Sequence, residues 1–220
     1  MIVSISREYG SGGRLIGREA AELLGFPFYD KQMISLIAEE SGLTESYVEE
    51  HQETGPRNWL RDVAFRPDQL AAEDLLLVAE RHVIRKLAEQ HENLVIVGRS
   101  ADYYLRGRVP HLKVFIHSDA DTRRVRLEQY YELGEANASE RRESVDKQRA
   151  KYYRKVTGRE WGAAEHYDLM INSRIGLGAA AKLIAEAVEA FGEGIHETVT
   201  VSDNGVDSGA GKVTGEEDRN

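Results

Sequence analysis

Residues 2–14, IVSISREYGSGGR, join a short β-branched apolar run to a loop with three glycines. Residues 15–24, LIGREAAELL, follow at once with apolar side chains at helical spacing. This order predicts a buried strand, a glycine loop and a helix, in which backbone N–H groups and the positive end of the helix can hold a phosphate. A glycine turn that only packs strand against helix would produce the same pattern. The candidate phosphate-binding residues are Gly10, Ser11, Gly12 and Gly13.

The loop departs from the regular phosphate-binding pattern, G-x-x-x-x-G-K-[ST]. With Gly12 at the second glycine, Arg7 takes the first glycine position, Gly13 the lysine position, and Arg14 the hydroxyl position that would hold magnesium. Another cation must replace the lysine if the loop binds a γ-phosphate. We expect Arg14 to do so, with Arg7 as the other basic residue in reach. Arg14 could equally point into solvent from the first turn of the helix.

Four more short apolar runs follow along the chain, separated by segments with helical periodicity. The runs occupy residues 26–29, 94–97, 113–117 and 169–172. Strands that alternate with helices form a parallel sheet through right-handed crossovers, with helices on both faces. We therefore predict a three-layer α/β fold with a five-stranded parallel sheet, whose ligands bind at the carboxyl ends of the strands.

The chain divides into one predicted domain, residues 1–193, and a tail, residues 194–220. The tail holds five glycines, six acidic residues and almost no large apolar residue, which predicts a disordered acidic segment. Within the domain, residues 54–72 contain two prolines and little periodicity, so we predict a loop or a mobile insertion there.

The composition excludes several classes of protein. The chain is 41% hydrophobic and 30% charged, as globular domains are, and it has no cysteine for disulfides or cysteine-zinc modules. Its seven histidines have no zinc-site spacing with nearby carboxylates, so we expect no structural metal. A net charge of −9 argues against binding a nucleic-acid polymer. No apolar run approaches the roughly 20 residues of a membrane span, and residues 1–10 do not resemble a signal peptide, which predicts a cytoplasmic protein without a membrane partner.

The charge is unevenly distributed. Residues 123–159 hold eight arginines and three lysines against six acidic residues, a net charge of +5, whereas the rest of the chain carries −14. A basic segment on an acidic chain fits a small anionic ligand, and it also fits a solvated helix with ion pairs. We predict that residues 119–160 form an arginine-rich helical lid. Its candidate lid cations are Arg123, Arg126 and Arg154.

Arg142, Asp146 and Arg149 stand at positions i, i+4 and i+7, which places them on one face of a helix. Asp146 could then hold both guanidinium groups in line for phosphate oxygens. A helical ion pair without function, contributing about 0.3–0.5 kcal/mol, explains the same spacing.

Asp30 ends the second predicted strand, at the sheet edge where a ligand would bind. Its carboxylate could hold hydrated magnesium or orient an acceptor hydroxyl, and it could also cap the helix that follows. Paired tyrosines occur at residues 103–104, 130–131 and 152–153. We expect one tyrosine of each pair in the core and the other free to stack on a base.

Residues 6–17, SREYGSGGRLIG, followed by residues 26–34, FPFYDKQMI, resemble the opening of the cytidylate kinase-like family. Residues 95–100, VIVGRS, and residues 113–117, KVFIH, resemble the strand, Gly-Arg turn and next strand of bacterial cytidylate kinases. The Arg-x3-Asp-x2-Arg spacing of residues 142–149 is similar to the lid of that family. The resemblance covers almost the whole predicted domain.

This resemblance implies a P-loop nucleoside monophosphate kinase fold that transfers the γ-phosphoryl group of ATP, with Mg²⁺, to CMP or dCMP. The glycine loop would cradle the donor phosphates, and Arg99 would contact the acceptor nucleotide. Residues 54–72 would form an acceptor-side insertion. The residues that would close over both nucleotides are Arg142, Asp146 and Arg149.

The acceptor side departs from the family pattern at one position. Bacterial cytidylate kinases carry Gly-Arg-Asp where this chain has Gly-Arg-Ser, so Ser100 cannot supply the acid. Asp102, one helical turn after Arg99, could replace it, or could be an exposed acid on its helix.

Three other functions remain open. The first is a kinase of another small acceptor on the same fold. The second is a catalytically weak nucleotide sensor, because the P-loop lysine and hydroxyl are both absent. The third is an interaction protein whose acidic tail binds a basic partner.

Overall fold

The structure, a computed structural model, describes the backbone of residues 1–53, 67–131 and 135–194 and the side chains of residues 1–51, 72–129 and 138–191. The predicted loop at 54–72 lies largely outside these residues, and its last part, 67–72, forms the first turns of a helix. The predicted acidic tail lies outside the described residues from position 195 onward.

Five parallel strands form one sheet in the order β2-β3-β1-β4-β5, which confirms the predicted fold class. The first strand lies at the centre, between the third and the fourth, so its carboxyl end is flanked by two neighbours. The strands are β1 (Ile2–Arg7), β2 (Phe28–Tyr29), β3 (Leu94–Val97), β4 (His111–His117) and β5 (Leu169–Asn172).

Helices connect the strands and cover both faces of the sheet. In the described residues they are α1 (Gly13–Leu24), α2 (Gln32–Ser41), α3 (Glu45–Glu53), α4 (Pro67–Gln90), α5 (Ala101–Tyr104), α6 (Ala120–Tyr131), α7 (Glu135–Thr157) and α8 (Leu177–Gly194). Two short 3₁₀ turns, Ala164–His166 and Ser173–Ile175, flank β5.

The side chains of strand β3 pack into two hydrophobic cores, one on each face of the sheet. Leu94 and Ile96 pack with α2, α4 and α5 on one face, whereas Val95 and Val97 pack with α1 and α8 on the other. Successive side chains of a strand point to opposite faces, so a strand buried on both sides is apolar at every position. This is why the run LVIV could be recognised as a strand of a parallel sheet.

The carboxyl ends of β1, β2 and β3 meet at one edge of the sheet, and each continues into a segment with charged residues. β1 continues into the glycine loop, β2 into Asp30 and Lys31, and β3 into Gly98 and Arg99. Within the described part of the chain, no helix has both the length and the apolar character to cross a bilayer.

Candidate functional site

The glycine loop turns from β1 into α1 along the wall of a cavity of about 580 Å³. Gly12 precedes the helix with φ +82°, a left-handed conformation that residues with a Cβ rarely adopt. Gly10, Gly12 and Gly13 line the cavity. Ser11 is fully buried instead, and its hydroxyl donates to the Glu8 carbonyl at 2.8 Å, so its side chain braces the loop. The predicted phosphate-binding loop therefore borders a cavity that can hold a ligand.

Arg14 lies on the cavity wall and forms an ion pair with Asp30 through its Nε. The Arg14 side chain is 41% exposed and the Asp30 side chain 10%. Helix α2 begins without a side-chain cap, so Asp30 does not have the capping role that its position suggested. The structure thus joins the predicted donor-side cation to the predicted acceptor-side acid.

Two arginines of α6 donate hydrogen bonds to backbone carbonyls of the glycine loop. Arg126 donates to the Ser11 carbonyl at 2.9 Å and to the Ser173 hydroxyl at 2.7 Å, and it lines the 580 Å³ cavity. Arg123 pairs with Asp146 and donates to the Tyr9 carbonyl at 3.3 Å. Both predicted lid cations of this helix therefore contact the glycine loop.

Helix α7 docks on the loop through two residues three positions apart. Asp146 accepts a hydrogen bond of 2.7 Å from the Tyr9 N–H, and Arg149 donates to the Arg7 carbonyl at 3.1 Å. The Arg149 guanidinium also lies 5.6 Å from the centre of the Tyr9 ring, within the range of a cation–π contact. Asp146 is thus held by Arg123 on α6 and by the loop, and it does not bridge the arginines of its own helix as the spacing suggested.

Two other predicted arginines of this region, Arg142 and Arg154, do not line the 580 Å³ cavity. Arg142 donates to the Ala120 carbonyl at 3.0 Å, at the start of α6. Arg154 is exposed. Arg141, the neighbour of Arg142, lines the 580 Å³ cavity instead.

A second cavity, of about 80 Å³, lies at the ends of β2 and β3 and is rich in cations. It shares part of its lining with the larger cavity, so the two adjoin. The residues common to both are Arg7, Asp30, Lys31 and Arg149. Those found only in the smaller one include Arg99, Ser100, Tyr152, Tyr153 and Trp161.

Arg99 enters this small cavity from a constrained turn. Both Arg99 and Ser100 adopt positive φ, +62° and +51°, although neither is glycine. Its Nη1 donates to Glu80 at 2.6 Å, whereas its buried Nη2 has no hydrogen-bond partner within the described part of the chain. Glu80, on α4, is completely buried and also accepts from the Tyr152 hydroxyl. Burial and the nearby Glu80 charge raise the pKa of Tyr152, so its hydroxyl keeps its proton and donates.

Asp102 occupies neither of the places that the sequence suggested. It is 4% exposed, does not line either cavity, and accepts a hydrogen bond of 2.6 Å from the Tyr153 hydroxyl. Burial raises the pKa of the Asp102 carboxyl above its ordinary value, and burial together with Asp102 raises the pKa of Tyr153. Both tyrosines of the 152–153 pair are therefore buried, and both support side chains beneath the small cavity.

The geometry agrees with what the chain resembles among known proteins. The model of the cytidylate kinase-like family matches residues 2–175. The chain belongs to the cytidylate kinase-like family. No curated protein matches it.

Several solved structures of other proteins are similar in fold to this chain. An uncharacterized protein from Eubacterium ventriosum ATCC 27560 is similar with a TM-score of 0.66 and 24% identity, over 86% of this chain and 99% of that one. A shikimate kinase from Bacteroides thetaiotaomicron has a TM-score of 0.52 and 16% identity, over 86% and 98%. A sugar kinase from Janibacter sp. HTCC2649 has a TM-score of 0.53 and 12% identity, over 86% and 94%. At these identities the likeness shows a shared P-loop kinase fold.

A kinase family and a kinase fold indicate a phosphotransferase that uses a nucleotide, ordinarily ATP with Mg²⁺. The residues present fit a metal held mainly by phosphates and water. Glu8 and Asp30 are carboxylates on the cavity wall, but Arg14 stands where a P-loop hydroxyl would ligate the metal. Among the described side chains, no three acidic or histidine residues form a metal-binding group.

Several residues of this cytidylate kinase-like site were not singled out from the sequence. Lys31 and Arg141 line cavities, and Glu80 accepts a hydrogen bond from Arg99 although it lies on a distant element. Lys31 directly follows Asp30 at a strand end, so its position was a usable signal. Glu80 lies in the middle of a long helix, and only its contacts with distant residues reveal its role.

Proposed function

We propose that this protein transfers the γ-phosphoryl group of ATP to a nucleoside monophosphate, with CMP or dCMP as the first candidates. The observation that supports this most is the cation-rich small cavity beside the glycine-loop cavity. A donor bound at the loop and an acceptor in the small cavity would meet at the residues that line both. Nucleotides are then the expected partners, and a cytoplasmic location would supply them.

The small cavity favours an acceptor that carries a negative charge. Arg7, Lys31, Arg99 and Arg149 line it, and Asp30 is the acidic residue on its wall. A fork of guanidinium donors matches the oxygens of a phosphate, and the buried Arg99 Nη2 would gain a partner there. A neutral acceptor would form no ion pair with these cations.

The chemistry requires positioning and charge neutralisation. A phosphate oxygen of the acceptor attacks the γ-phosphorus, and the bond from that phosphorus to the β–γ bridging oxygen breaks, so that ADP leaves. Since the second pKa of a phosphate monoester is about 6, the attacking oxygen is already ionised at neutral pH and no base is needed. Cations at the junction of the cavities would stabilise the charge on the transferring group. Mg²⁺, held by the nucleotide phosphates and reached by Glu8 or Asp30, would neutralise part of it.

A coupled assay of ADP formation tests the proposal. The acceptors are CMP, dCMP, UMP and AMP, with shikimate and a hexose as acceptors that carry no phosphate. We expect turnover with at least one monophosphate and none above the ATP-only rate with the uncharged sugar. Turnover only with a non-nucleotide acceptor would instead assign another kinase reaction to this fold.

A nucleotide sensor is the second candidate, and the loop itself favours it. The lysine position is glycine, and the hydroxyl position is an arginine paired with Asp30. Calorimetry distinguishes the two functions, because a sensor would bind ATP or CMP tightly and form no ADP at saturating concentrations of every acceptor in the panel.

A further inference from the structure

Arg7 and Gly13 stand at exchanged positions of the P-loop pattern. In the register that places Gly12 at the second glycine, the pattern requires glycine at position 7 and lysine at position 13. This chain has an arginine at the first position and a glycine at the second. One cation is present in either arrangement, but here it comes from the end of strand β1.

The structure explains why position 13 is glycine. A Cβ placed on Gly13 would lie 2.5 Å from the Cβ of Arg7 and 2.9 Å from its Cγ. The stem of Arg7 therefore fills the space from which a side chain at position 13 would start. No lysine fits there while Arg7 is present.

The guanidinium of Arg7 extends from the loop toward strand β3. A Cβ placed on Gly98, just after that strand, would lie 2.2 Å from the Arg7 Nη1. Gly98 thus leaves room for the head of Arg7, as Gly13 leaves room for its stem. Two glycines from separate elements enclose one side chain, which indicates that its placement is specific.

This placement puts Arg7 at the junction of the two cavities. Arg7 lines both of them, whereas Arg14 lines only the larger one and is paired with Asp30. In the proposed reaction, the transferring phosphoryl group passes between the cavities. A cation at their junction is in position to neutralise it.

We propose that Arg7 takes the place of the P-loop lysine and binds the γ-phosphoryl group during transfer. This inference rests on the proposed kinase function for its catalytic part. The inference also predicts that the protein binds ATP more tightly than ADP because of Arg7. This second prediction does not require catalysis and applies equally to a nucleotide sensor.

Arg7→Met is the decisive variant, because methionine keeps an unbranched stem against Gly13 and removes the charge. We expect kcat to fall by about 100-fold or more, the size expected for one lost transition-state donor. Arg7→Lys should recover at least tenfold of that loss. Arg108→Gln, at an exposed arginine before the amino end of β4, is the matched control and should leave kcat unchanged. An Arg7→Met enzyme with kcat within threefold of the wild type would overturn the inference.

A reciprocal exchange tests the register directly. Gly13→Lys alone should lower the melting temperature, since the new Cβ meets the Arg7 stem. Arg7→Gly combined with Gly13→Lys restores the regular pattern and should be at least tenfold more active than Arg7→Gly alone. A folded double variant that is no more active than Arg7→Gly would contradict the proposed exchange.

Calorimetry without acceptor separates this inference from the proposed function. The wild type should bind a non-hydrolysable ATP analogue more tightly than ADP, and Arg7→Met should lose that preference while its ADP affinity changes less than threefold. If no acceptor is turned over but this pattern is found, the kinase proposal fails and the role of Arg7 stands. If Arg14→Ala loses the preference and Arg7→Met keeps it, the role belongs to Arg14.

Discussion

Glu80 shows how a buried residue can set the chemistry of a surface cavity. Its carboxylate is completely enclosed and accepts from Arg99 and from Tyr152. Removing one member of a buried ion pair costs about 3–5 kcal/mol, because the other charge is left without compensation. The position of Arg99 in the small cavity therefore depends on a residue that does not line that cavity.

Glu80→Gln should weaken both the fold and the acceptor site. We expect a loss of about 3 kcal/mol in the free energy of unfolding, measured in urea, and a KM for the acceptor raised at least tenfold with the KM for ATP within twofold. Glu89→Gln, at an exposed position of the same helix, is the control. Combining Glu80→Gln with Arg99→Met should be less destabilising than Glu80→Gln alone. A double variant less stable than the single one would contradict the pairing.

Asp102 should make stability depend on pH in the direction opposite to that of a salt-bridged acid. Burial raises the pKa of its carboxyl above the ordinary value of 3.8, so the folded state binds the proton more tightly than the unfolded state. As the pH rises from about 4 toward the raised pKa, the unfolded state releases this proton first and the folded state loses stability relative to it. The ionised carboxylate remains a cost above that window.

Asp102→Asn removes this titration and still accepts from the Tyr153 hydroxyl. The unfolding free energy of the variant minus that of the wild type should therefore increase from pH 4 to pH 8, with urea unfolding as the measurement. Titrating groups that do not interact with Asp102 cancel in that difference. A difference that stays constant over this range would show that the carboxyl has the same pKa in both states.

At the scale of elements, helix α7 is attached to the glycine loop by a few polar contacts. Asp146 accepts from the Tyr9 N–H and pairs with Arg123, and both side chains of the pair are mostly buried. Asp146→Asn keeps an acceptor for the N–H and removes the ion pair. A hydrogen bond to a charged group contributes about 1.5–3 kcal/mol, so the KM for ATP should rise about tenfold and amide exchange in residues 138–150 should become faster.

Glu143→Gln is the control for this prediction, since Glu143 is an exposed acid of the same helix. It should change neither the KM for ATP nor the exchange rates. If Asp146→Asn behaves like this control, the contacts between α7 and the loop do not support nucleotide binding.

The elements were predictable where local pattern decides the structure. Continuous apolar runs such as residues 94–97 identified the strands, and their alternation with helices identified the parallel sheet. Helical spacing placed Asp146 and Arg149 on one face, and both do reach the loop. The order of strand, glycine loop and helix at residues 2–24 was predictable for the same reason, because the residues that form it are adjacent in the sequence.

The partners of charged groups were not predictable, because they come from distant elements. Spacing within α7 suggested that Asp146 pairs with Arg142, whereas its partner is Arg123, on another helix. The spacing of Asp102 from Arg99 along the chain suggested an acid at the acceptor side or on the exposed face of its helix, yet the Asp102 side chain is buried. The space that Arg7 takes beside Gly13 depends on a contact between strand and helix that no spacing rule contains.

At the scale of the whole molecule, the site concentrates positive charge on an acidic protein. The chain carries −9 in total, but arginines from β1, α6 and α7 converge on the glycine loop. A small anion is therefore attracted by the arginines at the glycine loop and repelled at longer range by the net negative charge of the protein. Salt screens the repulsion more strongly, since the Debye length falls from about 30 Å at 0.01 M to about 8 Å at 0.15 M ionic strength.

Residues 195–220 hold six acidic residues and two basic ones, so a chain that ends at Gly194 carries −5 instead of −9. If these charges act only at long range, the truncated protein should show a lower KM for ATP than the full chain at 10 mM salt. At 150 mM salt the two values should agree within twofold, because the distant charges are then screened. Initial rates at both salt concentrations provide the measurement, and kcat should not change. A salt-independent change in the KM for ATP, or a loss of turnover on truncation, would mean instead that the segment acts on the site through direct contact.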